Sequence, residues 1–401
     1  MYCAWRGVRS SGRRRVVIGL MTLGVVGLPA TAIGQVDCQG PILAPTRETE
    51  HAFTRIASVD YFGGDTLVVV DAGEDLLLAV SMTARTPTQI WRQGGGPGEY
   101  RRPRLVRRVS PELFMLYDEA HGRLTLFDGR WRVHQELHLP GVGAFRIRGV
   151  DATGNTFLDE YPSFRRPPRS AITGTQGPRR RADRDTVVIL RHNPLSDAAD
   201  TLGRIVLPPR RSSSGGMIAE WPGSMDGFIP FGERDDWTVT DRGQVVIVRG
   251  LEYKAEWLGG DGAVRHSVPI SSARVDVTAE EKEAWWRAAQ TDSIVMMDCR
   301  SRPCKPVNVF RAARPTEWPK VKSPFEYLSL RVDPNGDLWI RRTGAIHDSH
   351  VCYDVVSETG GVRHVLLPLE RTVMAFGPGA VFARAEDPDG LQFVEEYRFP
   401  R

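Results

Sequence analysis

Six tight-turn signals, each followed by a run of β-forming residues, recur along this chain and point to one repeated unit. They are Gly63-Gly64-Asp65, Ser110-Pro111-Glu112, Thr153-Gly154-Asn155, Arg242-Gly243-Gln244, Pro334-Asn335-Gly336-Asp337 and Gly377-Pro378-Gly379. The runs after them are built from Val, Ile, Leu, Phe, Trp and Tyr, and almost no long segment carries a 3.6-residue period. In the fullest copy, Gly94-Gly95-Gly96-Pro97-Gly98-Glu99-Tyr100 leads to an apolar run ending in Asp118. A tight turn then opens a second run ending in Phe127-Asp128. Glycine turn, Asp-ended strand, turn and Asp-ended strand describe one blade of a β-propeller, whose repeat is about 40–50 residues.

Three of the five intervals between turns fit one blade, and two are nearly double: Gly154 to Gly243 and Gly243 to Gly336. Residues 163–184 are rich in Pro, Arg, Gly and Thr, and 208–223 carry Ser212-Ser213-Ser214-Gly215-Gly216, so both read as loop insertions. Residues 278–290 read as one short helix, with Thr278 as N-cap and acids in the first turn. This gives an all-β, six-bladed propeller with loop insertions; hidden blades in the long gaps would make seven. The ring must close, because an open blade edge exposes a row of unpaired backbone groups. The last repeat offers only three strands (373–376, 380–385 and 391–399), so residues 41–46 are expected to supply a fourth.

Residues 1–34 read as a signal peptide: five arginines, an apolar run over 16–28 too short to span a bilayer, then small residues. Residues 35–401 are then a single propeller domain. Arg13-Arg14-Arg15 also loosely fits a twin-arginine export signal. No second long apolar stretch follows, so an exported protein, periplasmic or extracellular, with no transmembrane segment after processing is expected. The five arginines carry the excess charge: without them the formal net charge goes from +4 to −1. A near-neutral chain argues against nucleic acid as partner, since that affinity rests on neutralising phosphates. Four cysteines remain after processing: Cys38, Cys299, Cys304 and Cys352. In an oxidising compartment they favour disulfides, with three possible connectivities. A local Cys299–Cys304 loop leaves Cys38 for Cys352; free thiols and a metal site are the alternatives.

The stretch from Gln93 to Pro103, with Leu116-Tyr117-Asp118 and Arg123–Asp128, resembles the NHL-type repeat, and is most similar to exported bacterial six-bladed propellers related to that family. Residues 152–158, 253–262 and 333–340 match in part. The resemblance implies a sensor, binding or scaffold role more often than catalysis. The motif residues also have structural uses: glycines permit φ > 0, and Asp118 and Asp128 can bond turn N–H groups.

Few residues suggest chemistry directly. His347-Asp348-Ser349-His350, near Cys352, is the best cluster for a ligand or transition metal. Asp333-Pro334-Asn335-Gly336-Asp337 and Asp387-Pro388-Asp389-Gly390 lack the bidentate Glu of a calcium loop and read as hairpin turns. There is no Gly-x-Ser-x-Gly, and no nucleophile stands at recognisable spacing from a base. Arg179, Arg180 and Arg181, with other arginines of the two insertions, could meet a protein or an acidic glycan. The sequence thus reads as a binding or interaction module. The alternative is a metal-dependent hydrolase or lyase of the propeller lactonase or amidating-lyase kind, with calcium or zinc in the central channel.

Overall fold

The computed structural model describes residues 2–6, 38–110, 112–139, 145–151, 153–160, 186–193, 196, 198–208, 229–291, 293–298, 305–311 and 314–399. Six four-stranded antiparallel sheets follow one another around a ring, so the chain is a six-bladed β-propeller. Blade 1 comprises Ile56–Gly63, Thr66–Asp71, Leu76–Ser81 and Thr88–Gln89, and blade 2 comprises Pro103–Ser110, Leu113–Asp118, Arg123–Asp128 and Val133–His138. Blade 3 is Phe145–Val150, Thr156–Glu160, Thr186–Asn193 and Ala198–Val206. Blade 4 is Asp236–Val239, Val245–Arg249, Lys254–Leu258 and Val264–Pro269. Blade 5 is Arg331–Val332, Leu338–Arg341, His350–Val356 and Val362–Pro368. Blade 6 is Thr372–Gly377, Ala380–Glu386 and Gln392–Arg398, closed on its outer edge by Pro45–Glu48.

The six turn signals are the six hairpins between first and second strands. Second strands sit between two neighbouring blades and are largely buried, as in Thr66–Asp71, where only Thr66 is not buried. Outer strands such as Val133–His138 are mostly exposed. Six clusters of buried apolar side chains fill the gaps between adjacent blades. Between blades 1 and 2, Phe114 and Phe127 stack at 5.7 Å and Phe62 covers Phe114 at 4.9 Å. Burying one such ring contributes about 1.5–3 kcal/mol.

Polar groups lock the blades in register. Asp71 accepts N–H groups from Thr54, Arg55 and Gly73 at 2.8–3.0 Å, and Asp118 does the same for Arg101, Arg102 and Ala120 at 3.0–3.2 Å. The glycine phrase lies between blades 1 and 2. Its Tyr100 is fully buried and its hydroxyl accepts the Leu77 N–H at 3.0 Å, while Gly98 has φ +68°. The phrase is therefore structural.

Closure differs from the expectation by a few residues. The segment Pro41–Leu43 first runs along the outer strand of blade 5, with Leu43 N–H on the Leu366 carbonyl at 2.9 Å and Leu366 N–H on that of Pro41 at 3.0 Å. Only then does Pro45–Glu48 pair with Gln392–Arg398. Cys38 and Cys352 form a disulfide, which fastens this segment to blade 5. Cys299 and Cys304 lie outside the described residues.

The two long intervals hold insertions. The first spans the connection 161–185 within blade 3 and the connection between blades 3 and 4. The second holds the one helix among the described residues, Ala279–Thr291, and the strands Ser293–Asp298 and Lys305–Arg311, which form a small sheet with Tyr2–Arg6 from the N-terminal end. A capping box starts the helix: Glu281 N–H donates to Thr278 Oγ1 at 3.2 Å, and Thr278 N–H to Glu281 Oε2 at 3.0 Å. Trp285 packs edge-on against Trp318 at 5.6 Å.

Candidate ligand site in the central channel

Because successive strands run in opposite directions, connections between second and third strands open on the same face as those from one blade to the next. That face therefore carries the flanks of both long intervals and the helix. First strands line the channel, and the residues that gather along it are mainly arginines.

At the mouth, Glu326 sits among four cations: Arg341, Lys322, Arg234 and Arg384. Arg341 approaches it at 3.1 Å and also donates to Thr372 Oγ1 at 2.9 Å. Lys322 is already committed to Glu281 and to the Gly344 carbonyl at 2.7 Å. The guanidiniums of Arg234 and Arg384 make no hydrogen bond or ion pair among the described residues. Burial lowers the pKa of both. Burial likewise raises that of Glu326, even against its four cations. The Tyr327 ring lies 5.3 Å from the Arg234 guanidinium and 5.2 Å from that of Arg146.

The first strands of blades 2, 3 and 5 carry Arg107, Arg148 and Arg331, and the charges of Arg107 and Arg148 act on Arg331. Arg331 donates from Nη1 to the carbonyls of Leu328 at 3.2 Å and Leu330 at 2.8 Å. Burial, followed by the charges of Arg107 and Arg148, brings its pKa down to about 9. Arg148 binds the Asp236 carboxylate and the Trp237 carbonyl, and stacks over the Trp237 ring at 5.4 Å. Asp236 is fully buried and also accepts the N–H groups of Leu328 at 2.7 Å and Trp237 at 2.9 Å. Asp159 is clamped by Arg146 at 2.6 and 3.0 Å and takes the Trp237 indole N–H at 2.8 Å. Asp60, with its pKa raised chiefly by burial, accepts N–H groups of Tyr61 at 2.8 Å and Arg108 at 2.7 Å. Seven buried side-chain atoms among the described residues lack a partner, and three of them, the Nε atoms of Arg234, Arg331 and Arg341, lie along this channel.

The residues singled out in the sequence do not gather there. His347 is exposed and pairs with Glu280 of the helix at 3.1 Å. Asp348 accepts the Ala345 N–H at 2.7 Å, and His350 Nδ1 meets Ser349 Oγ at 2.9 Å. Arg179, Arg180 and Arg181 lie outside the described residues. Among the described residues, one group of three metal-ligating side chains lies close enough to share an ion: Cys38, Cys352 and His364. Its two sulfurs are joined in the disulfide. Asp333 and Asp387 each accept two backbone N–H groups of their own turns at 2.9–3.0 Å. The channel arginines were not found from the sequence. For those of the first strands the signal is an arginine alternating with apolar residues, as in Arg146-Ile147-Arg148 with Ile147 buried; Arg234, Arg341 and Arg384, outside the first strands, carry no such signal.

No protein-family model and no curated protein matches the chain. Among solved structures it is similar to a member of the duf4221 family from Bacteroides vulgatus, at 8% identity over 89% of this chain and 97% of that one, with TM-score 0.47. Virginiamycin B lyase from Staphylococcus aureus aligns at 9% identity over 89% and 99%, with TM-score 0.39. The calcium-binding protein regucalcin from Agrobacterium tumefaciens aligns at 12% over 90% and 98%, with TM-score 0.36. None of these likenesses carries an activity across. Fold and channel together define a six-bladed propeller with an arginine-lined mouth.

Proposed function

We propose that this is an exported, NHL-like propeller that binds an anionic ligand at its channel mouth, with an acidic glycan as the favoured class. The observation that carries this is the pair Arg234 and Arg384, half-buried beside Glu326 without ion pairs of their own. Unpaired charges removed from water are costly, and an arriving carboxylate or sulfate offsets that cost. The arginine-rich head of residues 1–34 and the disulfide support export. Among the described residues, no helix is long and apolar enough to cross a membrane. Signal cleavage would remove Tyr2–Arg6 and leave the small sheet as a hairpin.

The hydrolase or lyase reading has less support. Asp159 and Asp236, the most buried channel acids, are each engaged by an arginine, and a divalent cation there would meet further arginines. Calorimetric titration with an oligogalacturonide and its neutral, methyl-esterified counterpart tests the proposal. Binding is expected for the acidic oligomer alone, with affinity at least tenfold weaker in Arg234→Gln and Arg384→Gln. Equal binding of the neutral oligomer, or unchanged affinity in both variants, would count against it. Stoichiometric calcium or zinc in the purified protein would favour the enzyme.

A further inference from the structure

We propose that Arg107, Arg148 and Arg331 form an oxyanion cradle inside the channel, below the mouth, built to seat one carboxylate, phosphate or sulfate group. The inference rests on reading the channel as a ligand site and adds the chemistry of the group that reaches its interior.

Placement is the first argument. The three arginines come from the first strands of blades 2, 3 and 5, and blades 2 and 5 stand opposite each other in a six-bladed ring. The Arg107 charge acts on Asp60 of blade 1, Asp241 of blade 4 and Arg331 of blade 5, a set reached only across the channel. Packing does not require these side chains, because the neighbours Val106, Ile147 and Leu330 already fill the core.

Partner accounting is the second. The Arg107 guanidinium makes no hydrogen bond or ion pair among the described residues. Arg331 has two carbonyls on Nη1, while its Nε is buried with nothing to donate to. Arg148 is held in place by Asp236 and the Trp237 carbonyl. Of the nearby carboxylates, Asp236 also serves two backbone N–H groups and Asp60 serves two more, which leaves Asp241 as the remaining acid within reach of Arg107. The charges of Arg107 and Arg148 both act against that of Arg331. One oxyanion among them accepts several N–H groups at once and reverses that repulsion.

Arg331 also fits this role electrostatically. Burial, then the charges of Arg107 and Arg148, lower its pKa, and an anion beside it favours the charged guanidinium.

The experiment uses the intact processed chain, with thermal unfolding and calorimetry in sodium phosphate against sodium chloride at matched ionic strength. Phosphate is expected to raise the melting temperature saturably and chloride not to. Arg331→Met and Arg107→Gln should each weaken phosphate binding at least tenfold. Arg331→Met should melt no lower than the parent protein without phosphate. Arg265→Gln, on the exposed outer strand of blade 4, should leave phosphate binding unchanged, and Arg384→Gln, at the mouth, should weaken the oligogalacturonide. If phosphate binds but oligogalacturonide does not, the cradle's ligand is a free anion; if both bind and compete, the glycan supplies the group. No saturable phosphate effect, or equal effects in parent and cradle variants, overturns the cradle. The mouth reading survives that outcome if oligogalacturonide binding still depends on Arg234 and Arg384.

Discussion

The closure seam of blade 6 and the central channel are both rich in buried charge, yet they treat it in opposite ways. In the seam, each buried carboxylate has its arginines. Arg371 grips Glu395 with two bonds of 2.8 Å, and Tyr397 donates to the same carboxylate. Glu396 takes Arg398 at 2.8 Å and Arg47 of the N-terminal strand. Backbone bonds between Phe53 and Gln392, at 2.7 and 2.8 Å, complete the closure. In the channel, arginines outnumber the acids free to receive them. Arg331 reaches two carbonyls but no carboxylate, and Arg107 makes no ion pair among the described residues. On the proposed reading, the contrast separates charge that closes the fold from charge that meets a ligand.

Removing one member of a seam pair should therefore be severe. Arg371→Ala leaves Glu395 buried without its bidentate partner and is expected to cost about 3–5 kcal/mol, read from urea denaturation. A loss below 1 kcal/mol would mean that the seam is no better paired than the channel. Replacing both Cys38 and Cys352 by serine should cost about 2–4 kcal/mol, because the bridge joins segments 314 residues apart. An unchanged midpoint under oxidising conditions would remove the bridge from the account of closure.

Acid should separate the two regions by sign. Burial opposes ionisation of Glu395 and Glu396, but the arginine hydrogen bonds and charges prevail and hold both below the ordinary 4.5. Their contribution is present above pH 4.5 and is lost as pH falls through the lower folded values. Asp60, raised chiefly by burial, behaves oppositely: its contribution is complete below its ordinary value of 3.8 and is lost as pH rises through the folded one. Stability should therefore fall on acidification below pH 4.5, and less steeply in Arg371→Ala. A parallel decline in that variant would contradict the assignment. The smallest effect is expected from Arg331→Met. Removing an unpaired buried charge should leave anion-free stability unchanged or raise it by about 1 kcal/mol. A loss above 2 kcal/mol would make Arg331 a structural residue like Arg371.

Much of the fold was legible because its signals are local. Each first hairpin needs a turn residue beside β-formers, Thr278 and Glu281 stand at capping-box spacing, and the missing fourth strand of the last repeat asks for closure from the N-terminal side. The strand came out as Pro45–Glu48 because Pro41–Leu43 is taken first by blade 5. The site was not legible. Arg107, Arg148, Arg234, Arg331 and Arg384 are far apart in sequence and meet only when five blades surround one axis. The pattern His347-Asp348-Ser349-His350 is adjacent in sequence without converging in space. Neighbours in a turn point different ways, and His347 and His350 reach separate partners.

The most direct test is a crystal structure of the processed protein grown with selenate, read by anomalous scattering. The account expects a selenium peak in the channel, with its oxygens about 3 Å from the guanidiniums of Arg107, Arg148 and Arg331. A channel without that peak, with Arg107 and Arg331 turned onto Asp60 and Asp236, would show their charge to be structural after all.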